Sequence, residues 1–188
     1  MKVFKFGGAS VRNAGAIRQV AHILSQNTST PLLVVISAMG KTTNALERVH
    51  AAFQNHQPAD AEIALVMSYH RSIAEELMGA SAEAKQILNE FEQALHREAS
   101  RKGSWDETYD QLVSWGEWIS TQLVSCYLRT QGIHNQWLDA RTCIVTDSNY
   151  REANVDWAAT TSQIQNLTWK APVMITQGFV GKTSNGHT

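Results

Sequence analysis

Apolar positions along the chain change period several times, and each change marks an element. Residues 2–6, KVFKF, hold the β-formers Val3, Phe4 and Phe6 and read as a short buried strand closed by Gly7 and Gly8. From 12 to 26 the apolar residues Ile17, Val20, Ala21 and Leu24 fall at i, i+3, i+4, i+7, which predicts a helix with Asn13 as its N-cap. After an NTST turn (27–30) and Pro31, the run LLVVIS is continuously apolar, as in a parallel strand covered on both faces. Strand, helix and strand make a βαβ unit, expected to be right-handed.

Helical periodicity returns behind AMGKTTN with Ala45, Leu46, Val49 and Phe53. Between 58 and 103, one stripe (Ile63, Val66, Met67, Ile73, Leu77) and a second (Ile87, Phe91, Leu95) predict a helical hairpin with polar outer faces. It reads as packing scaffold without chemistry. Residues 106–130 predict one long helix with Gly116 in its middle, where glycine costs about 1 kcal/mol against alanine. A neighbour or ligand should therefore come close there. Glu117 follows, flanked by Trp115 and Trp118, and is either a surface glutamate or a partly enclosed carboxylate. HNQWLDA and CIVTD read as strands, 155–166 as containing a helix, and APVMITQGFVG as an apolar strand with a glycine-bounded turn. Alternating strands and helices predict the α/β class, a three-layer α/β/α sandwich with a mostly parallel sheet.

Composition narrows the function. The 188 residues suffice for one sizeable domain, and 43% apolar content fits a globular chain. A formal net charge of −1 with scattered Lys and Arg gives no footprint for nucleic acid or an anionic membrane. No apolar run approaches bilayer length, and the chain opens on a strand rather than a signal-peptide pattern. Cys126 and Cys143 do not form a Cys-x-x-Cys pair and read as reduced thiols of a cytoplasmic protein. The seven histidines lack ligand spacing, so no protein-built metal site is expected.

The chemistry concentrates at strand ends. A glycine turn between strand and helix lets a ligand approach the backbone and leaves N–H groups facing it; Lys5 adds a full positive charge, and together they suit an anion such as phosphate. Two familiar phosphate motifs fail. For Gly40-Lys41-Thr42 a P-loop needs glycine at 35, which is Val35, and for Gly181-Lys182-Thr183 it needs glycine at 176, which is Thr176. GGAS also lacks Gly-x-Gly-x-x-Gly. What remains is three strand-end loops, KFGGAS, SAMGKTTN and TQGFVG, which should converge on one crevice outside the sheet.

KFGGAS resembles the Lys-Phe-Gly-Gly-[Thr/Ala]-Ser opening of aspartate kinases, in the amino acid kinase family. VVISAMGKTTNAL is similar to that family's second loop, and LVSWGEWIST to its Ser-x-Gly-Glu-x-x-Ser helix. WLDAR with TDSNYREANVD, and VMITQGFVGKTSNGHT, resemble later blocks in the same order. The resemblance covers residue 2 to the last residue and stops before the family's Thr-Thr-Leu-Gly-Arg-Gly-Gly-Ser-Asp stretch. It implies an amino-acid-substrate-binding part over 1–188, with 58–103 as a hairpin insertion, without the nucleotide-binding half or the ACT domains.

The resemblance further implies transfer of the γ-phosphoryl of Mg-ATP to the β-carboxylate of L-aspartate. Lys5 would be catalytic, and Lys5, Phe6, Gly7, Gly8 and Ser10 would bind ATP phosphates, with Mg2+ carried by the nucleotide. Ser37, Thr43 and Glu117 would hold aspartate, Glu117 through the α-ammonium group, which would give Gly116 a reason to be small. Ser37 and Thr43 also suit loop and helix capping. The partners implied are L-aspartate and ATP, with a homo-oligomeric parent. Alternatives are a glutamate or acetylglutamate kinase, a fusion to homoserine dehydrogenase, and a non-catalytic substrate-lobe fragment.

Overall fold

The computed structural model describes residues 1–27 and 30–188. The NTST turn therefore lies partly outside the described residues. Strand β1 (Lys2–Phe6) leads through a 3-10 turn (Gly8–Val11) into α1 (Ala14–Ser25), then β2 (Leu32–Ile36) and α2 (Thr42–Gln54). Asn13 caps α1 as predicted, its side chain accepting from Ala16 N–H at 2.8 Å. Helices α3 (Asp60–Met78) and α4 (Ala82–Ala99) form an antiparallel hairpin, turned at Gly79 and capped by Ser81. Next come α5 (Trp105–Val113), α6 (Trp115–Thr130), β3 (Asn135–Leu138), β4 (Val145–Thr146), α7 (Trp157–Gln165), β5 (Val173–Gln177) and β6 (Lys182–Thr183).

The main sheet is parallel throughout, in the order β1-β2-β5-β3, while β4 and β6 make a separate two-stranded parallel ribbon. Its core lies on one face. Leu32, Val34 and Ile36 of β2 with Val173 and Ile175 of β5 meet Ile17, Val20 and Leu24 of α1 and Ile119, Leu123 and Val124 of α6, all buried in one cluster. Helix α6 runs across β2, β5 and β3, and α4 packs behind it. Apolar area buried between this sheet face and the two helices α1 and α6 stabilises the fold by about 25 cal/mol per Å².

Three expectations are corrected. Strand β1 is an edge strand rather than a buried one: only β2 flanks it, and Val3, on the open face, is 57% exposed, while Phe4 and Phe6 pack on the core from the other face. Strand β2 alternates buried and half-buried positions, so only β5 is buried on both faces. The segment 106–130 is two helices, with Ser114 ending α5 and starting α6, so Gly116 sits in the first turn of α6 and not mid-helix. Ser114 turns its hydroxyl back to Gln111 O at 3.0 Å, a local bond that competes with continuous helix.

Candidate active site

Because β1, β2 and β5 are adjacent and parallel, their carboxyl ends deliver three loops to one margin of the sheet. The loops are bonded together: Ser37 N–H donates to Phe6 O at 3.1 Å, Gly178 N–H to Ile36 O at 3.1 Å, and Gly40 N–H to Gly8 O at 3.0 Å. A Cβ on Gly8 would stand 2.7 Å from Ala38 O, so the contact between the first two loops admits only glycine. Gly7 differs. Its Cβ would meet nothing within 4 Å, and its backbone is extended. Neither the Gly7 nor the Gly8 N–H donates to another group among the described residues, whereas Ser10 N–H closes the turn onto Gly7 O at 2.8 Å. The Ser10 side chain is exposed.

Lys5 lies on the open face of the sheet, opposite Val35 in register, and is exposed. Its ammonium sits 5.0 Å from the centre of the Phe179 ring, and no carboxylate pairs with it among the described residues. Phe179 is 84% exposed with φ +59°, a left-handed conformation costly for a bulky residue. Phe6 points the other way. Its ring packs on the core and meets Phe4 edge-on, and its carbonyl belongs to the loop bond described above, so its side chain is not free for phosphate.

The opposite wall is built by α6. Glu117 Oε1 accepts from Ala38 N–H at 3.2 Å, and Ser120 Oγ donates to Ser37 O at 2.8 Å. One turn of helix thus grips two consecutive residues of the second loop. Gly116 permits that approach: a Cβ there would lie 3.2 Å from Ala38 Cβ, 3.2 Å from Leu46 Cδ1 and 3.3 Å from Thr42 Cγ2. Protein groups, not a ligand, account for its small size. Glu117 is buried, and burial pushes its pKa up to about 7, opposed by the Ala38 N–H bond, which favours the carboxylate. Thr43 occupies the first turn of α2, half-buried, with no side-chain hydrogen bond among the described residues; it caps nothing there. The Ser37 side chain is half-buried beside Gly178.

The sequence profile of the amino acid kinase family matches residues 1–188. The chain belongs to this family. It is 30% identical to aspartokinase 1 of Arabidopsis thaliana, a chloroplastic protein, over 96% of this chain and 33% of that protein. It is also 30% identical to the aspartokinase of Chlamydia muridarum, over 99% of this chain and 41% of that one. Among solved structures, Escherichia coli aspartokinase III in complex with aspartate and ADP superposes with a TM-score of 0.85 at 28% identity, covering all of this chain and 42% of that one. The aspartate kinase of Clostridium acetobutylicum, at 21% identity and a TM-score of 0.81, shares the fold. The chain thus spans about a third to two-fifths of the length of the relatives it matches.

The α/β class and mostly parallel sheet of the amino acid kinase family are therefore observed directly. No described helix is long and apolar enough to cross a membrane. Lys5, Gly7, Gly8, Ser37, Thr43 and Glu117 come to the same margin of the sheet. The sequence assigned no role to four residues that shape this margin: Tyr69, His70, Ser120 and Gln177, whose side-chain oxygen accepts from Ala140 N–H at 2.8 Å. Ser120 closes the Ser-x-Gly-Glu-x-x-Ser block and Gln177 lies in the TQGFVG loop, while Tyr69 left no signal and His70 a different one. His70 falls on the apolar stripe of α3 between Val66 and Ile73, and a polar residue there demands a buried partner.

Proposed function

We propose that this chain is the acceptor-binding part of an aspartate kinase, which transfers the γ-phosphoryl of Mg-ATP to the β-carboxylate of L-aspartate. The observation that carries this reading is the Glu117 carboxylate: buried, tied on one oxygen to Ala38 N–H, and without a positive partner among the described residues. A buried acid beside a crevice is stabilised by an ammonium group. The α-ammonium of an amino acid supplies one, and the hydroxyls of Ser37 and Thr43 on the neighbouring loop suit its polar remainder. The aspartate and ADP held by the E. coli relative support the same assignment.

On the other wall, Lys5 and the N–H groups of Gly7 and Gly8 would face the transferred phosphoryl and its neighbours, with the Ser10 hydroxyl close by. Phosphoryl transfer asks mainly for positioning and charge stabilisation, and an acceptor carboxylate is already ionised, so no general base is needed. Mg2+ arrives bound to the nucleotide, where it would neutralise phosphate charge. Since the chain covers a minority of each relative's length, turnover is assigned to a longer, oligomeric enzyme, and the isolated chain should bind aspartate and turn over nothing.

Calorimetric titration of the chain tests the reading. L-aspartate should bind, L-glutamate should bind at least tenfold more weakly, and Glu117→Ala should abolish the heat. Tighter binding of glutamate or acetylglutamate would reassign the acceptor, and steady turnover by the isolated chain would refute its inactivity.

A further inference from the structure

Two neighbouring side chains of α3, unused by the proposed reaction, reach the first two loops from behind. The Tyr69 hydroxyl donates to Arg12 O at 2.6 Å, just beyond the turn that Gly8 begins. The same oxygen lies 2.6 Å from where a Cβ on Gly40 would stand, and Gly40 has φ +54°. Tyr69 therefore touches both loops with one atom. Glycine at 40 is required twice, by the left-handed backbone and by this hydroxyl.

His70, the next residue, is fully buried between the rings of Tyr69 and Phe91. Its Nδ1 lies 2.8 Å from Val66 O, and its Nε2 lies 3.2 Å from the Thr42 hydroxyl, which also lies 2.7 Å from Met39 O. With Nδ1–H donating to Val66 O, Nε2 is an acceptor, so the Thr42 proton is shared between the imidazole and Met39 O. Burial holds this imidazole neutral, lowering its pKa to about 4. Successive helix residues point about 100° apart, so the two side chains cannot cover one surface. Here Tyr69 takes the turn after β1 together with Gly40, and His70 takes the base of α2.

We propose that Tyr69 and His70 are positioning residues: they fix the spacing between the loop carrying Gly7–Ser10 and the loop carrying Ser37–Thr43. The proposal rests on the kinase reading above. Reacting atoms must lie about 3–3.5 Å apart, and a misplacement of about 1 Å costs on the order of 100-fold in rate. Apart from the strand-end bond of Ser37 to Phe6, the bond from Gly40 to Gly8 is the one backbone link between these loops among the described residues. A brace on α3, itself anchored in the core through Phe91, removes the remaining freedom.

Amide hydrogen exchange on the 188-residue chain tests the brace, read in peptides covering 6–13 and 36–45 with 119–128 and 173–177 as controls. Tyr69→Phe removes one oxygen from a half-buried ring and should speed exchange in both loop peptides about tenfold, leaving the controls unchanged. His70→Ala should do so in 36–45 alone, and His70→Gln, which can still bond Thr42, should restore most of the protection. Wild-type rates in both loops, or equal acceleration everywhere, would overturn the proposal. In the longer enzyme proposed above, Tyr69→Phe should lower kcat about tenfold with the KM for aspartate within twofold, and an unchanged kcat overturns it as well. If that wild-type enzyme shows no aspartate kinase activity, the functional reading fails instead, and the exchange measurement alone decides whether the brace exists.

Discussion

Lys5 and Glu117 stand at the same margin of one sheet in opposite surroundings. Lys5 projects from an edge strand with a single neighbouring strand, exposed, touched by the equally exposed ring of Phe179. Glu117 rises from the core helix, buried, its carboxylate bonded to Ala38 and its helix pinned to Ser37. In the proposed reading, the charge that would meet a highly charged, hydrated phosphate chain can wait in water, and the carboxylate that would select a small ammonium group is held dry, where an unmatched partner is expensive. The Lys5 side chain is therefore held by few of the described groups, whereas the Glu117 side chain is fixed by burial and a backbone hydrogen bond.

The largest effect should come from the exposed side. Lys5→Ala should reduce kcat of the longer enzyme about 100- to 1000-fold, the range for removing one group that stabilises transition-state charge, while the KM for aspartate moves little. Denaturant melts of the isolated chain should barely register it. A kcat within a few-fold of wild type would remove the phosphate role from this loop. Glu117→Ala should instead raise the KM for aspartate.

Next is the buried charge itself. In the folded chain Glu117 keeps its proton up to about pH 7, whereas unfolded it loses it near 4.5. The native state binds more protons between those values, so this group's contribution to stability falls as pH rises from 4.5 to 7. Glu117→Gln keeps the acceptor for Ala38 and should stabilise the ligand-free chain at pH 8 by about 3 kcal/mol, converging with wild type below pH 5. His70 runs oppositely: with its pKa lowered to about 4, stability is lost as pH falls from 6.5 to 4. The two trends nearly cancel in wild type, so each appears only in the difference between variant and wild-type melts. Aspartate affinity should rise with pH up to about 7, because the ammonium favours the ionised carboxylate.

Smaller still is the effect of the packing of α6 against the second loop at Gly116. Gly116→Val puts two methyl groups against Ala38, Leu46 and Thr42 and should destabilise by about 1–3 kcal/mol in chemical melts, with a matching loss of aspartate binding. The least should follow Phe179→Leu: an exposed cation–π contact is worth roughly 0.5–1 kcal/mol, so stability should shift by no more than that.

How much of this could be read beforehand follows the same division. Motifs with a local cause were legible: the glycines after β1, the Asn13 cap, the stripes of α1 to α4, and Glu117 between its tryptophans. Relations set by strand order were not. Val3 is as apolar as a core residue, and it is exposed because it falls on the open face of a marginal strand, while Phe4 and Phe6 on the other face pack on the core. The break at Ser114, where the hydroxyl bonds Gln111 O, is a local irregularity that a strong helical pattern conceals. Tyr69 and His70 act on loops 57 and 28 residues away, to Arg12 and Thr42, and although His70 stands out on its apolar stripe, nothing in the periodicity names the partner of either residue.

Strand order also has a consequence for how the chain is assembled. The strand buried on both faces, β5, is contributed by residues 173–177, yet it lies between β2 and β3. Until those residues leave the ribosome, no strand joins β1 and β2 to β3, and α6 alone can bridge them by packing. Pairings across more than 135 residues, such as Val34 with Ile175, must then form against a large loop-closure entropy. Folding should wait on this late insertion, and during synthesis the apolar inner flank of β2 remains open to any other strand that finds it.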